Sequence, residues 1–178
     1  MRVIAGRLGG RLFNSPGTDR THPMSDKIRG ALFNTLGDIN DLRLLDAFTG
    51  SGALAFEAIS RGASHVTALD VDDNAITTVT KNAAQLAIGS ELKPIRTSVA
   101  GWLHTTLSAA KFDVVVCDPP YDDPQLALIA ELAECVKPVG LLVVSLPAGV
   151  DLTLSSAYEL VAAKTYGDAC LYFYRRAA

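Results

Sequence analysis

From residue 42 onward one rhythm repeats: a short apolar run, a tight turn, then a longer segment of helical period. LRLLDAF (42–48), HVTALDV (65–71), LKPIRTSV (92–99), FDVVVCD (112–118) and GLLVVSL (140–146) are the apolar runs. Between them lie GALAFEAISRG (52–62), DDNAITTVTKNAAQLAIG (72–89), VAGWLHTTLSA (99–109) and PQLALIAELAECVK (124–137). Continuous β-branched runs separated by helices and short loops predict parallel strands buried on both faces. Asp72 or Asp73 is the expected cap of the second helix, with Gly89 as its stop, and Gly62 ends the first. The rhythm breaks near the end. YELVAAKTY and ACLYFYRR flank Gly167-Asp168, a hairpin signal, so two antiparallel strands close one edge. The predicted fold class is α/β, with a seven-stranded, mostly parallel sheet and an antiparallel C-terminal hairpin.

The first forty residues differ. RVIA, a turn at Gly9-Gly10 and RLFN predict a β-hairpin over residues 2–14, and SDKIRGALFNTLG predicts a helix capped by Ser25 or Asp26 and stopped by Gly37. Ile28, Leu32, Phe33 and Leu36 share one helix face. Residues 1–36 carry a net charge of +4, whereas the whole chain of 178 residues carries −3. A basic arm on an acidic body suggests a polyanionic partner for the arm, and equally fits an arginine-rich solvated surface. The chain therefore reads as an extension, 1–36, and a main domain, 37–178. With 49% apolar and 20% charged residues the composition is that of a globular protein. The longest apolar stretch, around VGLLVVSLPAG, is short and contains Pro147, so no membrane span is expected, and the arginines of the N-terminus break any secretory pattern. Cys117, Cys135 and Cys170 show no paired spacing and read as reduced thiols of a cytoplasmic protein. His22, His65 and His104 are scattered, so no metal site is expected.

In parallel α/β sheets ligands bind beyond the carboxyl ends of the strands. The first such turn is LLDAFTGSGALAFEA. Gly50 and Gly52 permit a tight turn into a helix whose N-terminal amides point outward, and Gly50-Ser51-Gly52-Ala53-Leu54-Ala55 fits the dinucleotide pattern. Asp70, twenty residues after Gly50, stands where a carboxylate accepts hydrogen bonds from ribose hydroxyls. Two ligands suit this spacing. One is NAD(H), with its pyrophosphate on the helix N-terminus. The other is S-adenosylmethionine, whose cationic sulfonium and ammonium favour a carboxylate near the turn, and Asp46 ends the first strand. A glycine turn with no ligand is the bland alternative. Thr97-Ser98-Val99 would lie beside an adenine, Ser98 to hydrogen-bond it and Val99 to pack on it, or these are a helix cap and a core residue.

Asp118-Pro119-Pro120-Tyr121 follows the fourth run. An exocyclic base amine is a weak nucleophile because its lone pair is delocalised, so methylating it demands orientation more than a strong base. The Asp118 carboxylate and the Pro119 carbonyl can each accept one N–H of such an amine. Pro119 and Pro120 keep that carbonyl still, and Tyr121 can stack on an extruded base. A capped strand end with a surface tyrosine is the plain alternative.

DAFTGSG, LDVD and DPPY in this order resemble the S-adenosylmethionine-dependent amino-methyltransferases. With RVIAGRLGGRLF and SDKIRGALFNTL ahead of them, nearly the whole chain resembles the RsmD family of bacterial small-subunit ribosomal RNA (guanine-N2)-methyltransferases. The resemblance implies a Rossmann-like class I methyltransferase fold, S-adenosylmethionine as cofactor, and N2 of a guanine in 16S rRNA or the small subunit as substrate. It implies catalytic residues Asp118, Pro119, Pro120 and Tyr121, and cofactor contacts at Asp46, Thr49, Gly50, Ser51, Gly52, Asp70, Val71, Ser98 and Val99. It also implies RNA contacts from the basic arm, of which Arg2, Arg7, Arg11, Arg20 and Arg29 are the candidates. One departure stands out: the family often has Arg-Pro-Thr where this chain has His22-Pro23-Met24. Adenine N6 or a protein glutamine as the methylated amine, an NAD(P)-dependent oxidoreductase, and a non-enzymatic RNA assembly factor are the competing readings. Nothing in the sequence suggests more than a monomer.

Overall fold

The structure is a computed structural model, and it describes residues 1–17, 24–106 and 111–178. The chain forms two compact units, Met1–Ser98 and Val99–Ala178. The described part of the expected 1–36 extension thus belongs to the first unit, with the first three strands. The fold class is the expected one, α/β with a seven-stranded, mostly parallel sheet and an antiparallel C-terminal hairpin.

The first unit contains α1 (Asp26–Leu36), β1 (Arg43–Asp46), α2 (Ala53–Ser60), β2 (His65–Asp70), α3 (Asp73–Gln85) and β3 (Leu92–Arg96). Its strands run in the order β3-β2-β1, all parallel, with Leu45 opposite Thr67 and Leu69 opposite Ile95. That register brings the carboxyl ends of the strands, with Asp46 and Asp70, to one side. Every residue of α2 is buried, including Glu57 and Ser60, so this helix has no solvent face. Ser25 caps α1 through Ile28 N–H, and Gly37 ends it as expected.

The second unit contains α4 (Val99–Thr106), β4 (Phe112–Cys117), α5 (Leu126–Ala133), β5 (Val136–Pro147), β6 (Tyr158–Tyr166) and β7 (Ala169–Arg176). Its strand order is β4-β5-β7-β6. β4 and β5 are parallel, while β7 lies antiparallel between β5 and β6. The turn falls at Gly167, whose φ is +64°.

Two expectations need correction. The α3 helix stops at Gln85, not at Gly89. Ile88 N–H bonds Ala83 O and Ala87 N–H bonds Ala84 O, a Schellman closure with Ala87 at φ +58°. Burial of Leu86 and Ile88, 2% and 0% exposed, explains a left-handed alanine there: both apolar side chains reach the core only if the chain reverses between them. The run 124–137 is not one helix. α5 ends at Ala133, and Val136 already pairs with Phe112. Cys135 and Val136 are wholly buried, and ladder bonding outweighed the helical period. Residues 2–14 fold back on themselves as the expected hairpin, with Val3 N–H on Arg11 O at 2.9 Å, Gly10 N–H on Val3 O at 2.9 Å and Phe13 N–H on Met1 O at 3.1 Å. Arg2 and Leu12 make one isolated bridge. Between them the Ile4 and Ala5 N–H groups turn to Glu57 and the Leu8 N–H to Ser60 Oγ of α2.

Candidate active site

In the first unit the glycine turn after β1 is braced from below by two acids. Asp46 is 2% exposed, and Thr49 Oγ1 donates to its Oδ2 at 2.8 Å. Asp70 accepts from Gly50 N–H at 2.8 Å with Oδ2 and from Asp72 N–H at 2.9 Å with Oδ1. One carboxylate thus ties the first turn to the second and keeps further lone pairs on both oxygens. Gly52 N–H closes the turn on Thr49 O at 2.8 Å. Gly52 itself sits at φ +79°, and a Cβ there would come within 2.8–2.9 Å of Phe56 and Val79. A side chain at this position would therefore both strain the backbone and collide with the core that seats α2.

Thr49, Ser51 and Gly52 are buried, while Val71 is 65% exposed beside Asp70. An exposed valine next to a half-buried acid is an apolar face on offer at the lip of the turn. Ser98 is exposed and Val99, the first residue of α4, is buried. Asp72 is the helix cap, accepting from Asn74 N–H at 2.8 Å. The donor set tests the two candidate ligands. From Asp46 to Ser60 the turn and helix offer acids but no basic side chain. Carboxylates repel a pyrophosphate and attract a sulfonium and an ammonium, so the residues present fit S-adenosylmethionine and disfavour NAD(H).

In the second unit, β4 runs buried into Asp118. Pro119 is buried and Pro120 exposed. Asp123 N–H bonds Pro120 O at 3.1 Å and closes the turn, whereas among the described residues no donor reaches the Pro119 carbonyl. Burial pushes the Asp118 carboxyl up to about 6, against a smaller downward pull from the neighbouring Ser145 hydroxyl. Tyr121 is 42% exposed, and its hydroxyl lies 3.3 Å from Ser145 Oγ. Loss of solvation is the largest cause that raises the Tyr121 hydroxyl above its ordinary value, with Asp118, Asp168 and Cys170 adding to it against the Ser145 hydrogen bond. Sequence reasoning singled out the DPPY residues but missed Ser145. The one signal was a serine among the apolar residues of VVSLP, which by itself marks nothing.

The arm presents Arg2, Arg7 and Arg11 on the surface, above buried Val3, Leu8 and Phe13. Phe13 meets the edge of the Phe56 ring at 4.9 Å. Two side chains of α2 fasten the arm. Glu57 accepts from Ile4 N–H at 2.7 Å and Ala5 N–H at 3.1 Å. Ser60 Oγ accepts from Leu8 N–H at 2.9 Å and donates to Ala5 O. Gly6 is obligatory there, since a Cβ would stand 1.9 Å from Ser60 O. Asn82 of α3 adds a two-way amide bond to the backbone of Asn14. Arg2 pairs with Asp26 and Arg7 with Glu91, both at exposed positions where such pairs are weak.

Arg29 corrects an expectation. It is wholly buried, donating to Arg2 O at 2.8 Å, Met24 O at 3.3 Å and Asp26 at 2.8 Å. It is an internal tie between arm and helix, not a surface cation for phosphate. Arg20 and His22 lie outside the described residues. Trp102 is core, 5% exposed with its ring 6.1 Å from Phe112. Asp122 and Asp123 are exposed loop acids. Arg176 is held by Glu134 and the Val136 carbonyl, and Arg175 is exposed. The three cysteines are free and buried. Among the described residues no cluster of His, Cys, Asp and Glu could hold a metal ion, and no helix is long and apolar enough to cross a membrane.

Comparison with known proteins agrees with this geometry. The family described as Conserved hypothetical protein 95 matches residues 1–175. Ribosomal RNA small subunit methyltransferase D of Haemophilus influenzae is 32% identical over 173 residues, 94% of this chain and 89% of that protein. The solved structure of the Escherichia coli protein yhhF superposes with a TM-score of 0.86 at 28% identity, covering 100% of this chain and 98% of the other. A solved Haemophilus influenzae protein, HI0767, gives 0.80 at 31% identity over 100% and 99%. The fold is that of the class I methyltransferases.

Proposed function

The chain belongs to the RsmD family, and from that premise we propose that it methylates the exocyclic N2 of a guanine in 16S ribosomal RNA. The observation that carries the reading is the pair of acceptors after β4: the Asp118 carboxylate next to a Pro119 carbonyl that no donor among the described residues reaches.

S-adenosylmethionine, when bound, supplies an electrophilic methyl on a positively charged sulfur. Asp70, Gly50 and Val71 suit its ribose and adenine, with Ser98 and Val99 next along the chain, and Asp46 with Thr49, Ser51 and Gly52 suits its charged end. Asp118 and the Pro119 carbonyl accept the two N–H bonds of the base amine and aim its lone pair outward. The rigid Pro119-Pro120 pair spares the site any reorganisation. Tyr121, with its ring partly exposed, offers a stacking face to a base drawn out of its helix. As the new N–C bond forms, the amine becomes acidic and gives up one proton, which Asp118 or water can take. Neither a metal nor a covalent intermediate is required. Arg2, Arg7 and Arg11 contact phosphates and position the RNA without reading its sequence. The protein works as a cytoplasmic monomer on the small subunit or its RNA, and docking of the arm on α2 fixes where the RNA enters.

The test is incubation with methyl-labelled S-adenosylmethionine and unmethylated small subunits, or RNA stripped from them, beside Asp118→Ala. Label in N2-methylguanosine, lost in the variant, is expected. Label in N6-methyladenosine or in protein would replace the substrate, and no label from either substrate would overturn the reading.

A further inference from the structure

We infer that Ser145 is a positioning residue of the amine site: its hydroxyl holds the Asp118 carboxylate and the Tyr121 ring in the orientation that receives a planar base amine. The inference rests on the proposed methyl transfer and extends the site beyond its four-residue motif, onto the neighbouring strand.

Three observations carry it. The first is register. Cys117 pairs with Val144, so the next residues along the two parallel strands, Asp118 and Ser145, stand side by side. The second is burial without a packing reason. Ser145 is 2% exposed between Val144 and Leu146, both wholly buried, in a strand that is otherwise apolar at this end. A hydroxyl in such surroundings costs free energy unless it is hydrogen-bonded, and alanine or valine would fill the space without that cost. The third is the partners. The hydroxyl reaches the Asp118 carboxyl and lies 3.3 Å from the Tyr121 hydroxyl. It bonds Tyr121 and stands beside Asp118, so one hydroxyl is placed to serve both residues of the motif.

The chemistry follows from what one hydroxyl can do. It has one hydrogen and two lone pairs. Donating to Asp118, it occupies part of one carboxylate oxygen and favours the ionised form, leaving the other oxygen for a substrate N–H. Accepting from Tyr121, it fixes the tilt of a ring that is otherwise free to turn in an exposed loop. The charged and titratable groups around this cluster are Tyr121 itself, Asp168 of the β6–β7 turn and Cys170 of β7. None of them is a cation, so the Ser145 hydrogen bond opposes the burial that disfavours the Asp118 carboxylate.

The experiment compares the full chain with Ser145→Ala, Ser145→Thr and Asp118→Ala. Titration of the Asp118 carboxyl carbon by NMR in the free protein, and kcat and KM against pH, are the readouts. Thermal stabilisation by S-adenosylhomocysteine reports the fold and the cofactor turn. In Ser145→Ala the Asp118 titration and the acid limb of kcat are expected to rise together by about one pH unit, the size of one hydrogen bond to a charged group. At pH 7 kcat is expected to fall roughly tenfold, about twofold of it from the smaller ionised fraction and the rest from lost orientation. KM for S-adenosylmethionine and the thermal shift stay as in the wild type, and Ser145→Thr, which keeps the hydroxyl, restores both profiles. An unchanged titration and kcat in Ser145→Ala overturn the inference. So does a loss that threonine fails to rescue and that accompanies a lost thermal shift, because that marks a purely structural serine. If Asp118→Ala stays active, the methyl-transfer reading of this motif fails, and the role of Ser145 falls with it.

Discussion

Replacing Glu57 by alanine should loosen the arm before it damages anything else. This carboxylate is fully buried in α2 and accepts three bonds: Ile4 N–H at 2.7 Å, Ala5 N–H at 3.1 Å and Arg61 Nε at 2.7 Å. Without it, two backbone donors under the arm lose their acceptor, each at about 1–3 kcal/mol. Arg61, 17% exposed, keeps some water and adds on the order of 1 kcal/mol. The expected loss is about 3–7 kcal/mol, or on the order of 10–20 °C in Tm for a chain of this length. Glu57→Gln keeps one acceptor oxygen and should lose only about 1–2 kcal/mol. Urea denaturation followed by circular dichroism gives the magnitude. Hydrogen exchange gives the location: the Ile4 and Ala5 amides should lose protection ahead of β1 and β2. RNA binding should weaken with the arm, while stabilisation by S-adenosylhomocysteine persists. A loss under 1 kcal/mol with both amides still protected would refute the reasoning, because the arm would then be held by its apolar residues and the Ser60, Asn82 and Arg29 bonds without Glu57.

Other outcomes follow from single positions. Gly52→Ala adds a Cβ at φ +79° within 2.8–2.9 Å of Phe56 and Val79. It should cost roughly 2–4 kcal/mol and remove the S-adenosylhomocysteine thermal shift, and a Tm within 2 °C of wild type would contradict the cradle. Asp118→Asn should abolish methyl transfer and stabilise the fold. The carboxyl is raised in the folded state from 3.8 to about 6, so its ionisation opposes folding. The gain, up to about 3 kcal/mol, should be complete above pH 6 and fade as the pH falls through 4, vanishing below 3.8 where both states are protonated. Thermal melts at several pH values check the sign, and a gain that grows with acidity would refute it. Val139 is β-branched at φ +58° in the bend of β5 and 60% exposed. Val139→Gly should therefore gain about 0.5–1 kcal/mol in urea denaturation despite glycine's greater freedom when unfolded.

The fold and the motif residues were legible in the sequence because they are local. A buried parallel strand needs a continuous apolar run, and its turn needs Gly50, Gly52 or a Pro119-Pro120 pair within a few residues. The terminal hairpin was equally readable, since Gly167-Asp168 sits between two strand-forming runs. The helix ends at Gln85 and Ala133 were not readable. In each case buried residues further along the chain, Leu86 with Ile88 and Cys135 with Val136, overrode the local period. Arg29 misled for a related reason: an arginine in a basic stretch looks like a surface cation until its guanidinium is found buried on the Arg2 and Met24 carbonyls.

By itself, then, the sequence determined the α/β alternation, the acids at the ends of β1 and β2, and the proline-stiffened Asp118–Tyr121 turn after β4. Each depends on residues next to one another in the chain. Only the tertiary structure decided that Ser145 lies against Tyr121, twenty-four residues earlier, and that Glu57, Ser60 and Asn82 hold the arm. A strand register and a buried helix face bring together side chains that no local spacing links, and a polar atom acquires its role only when burial leaves it one set of partners.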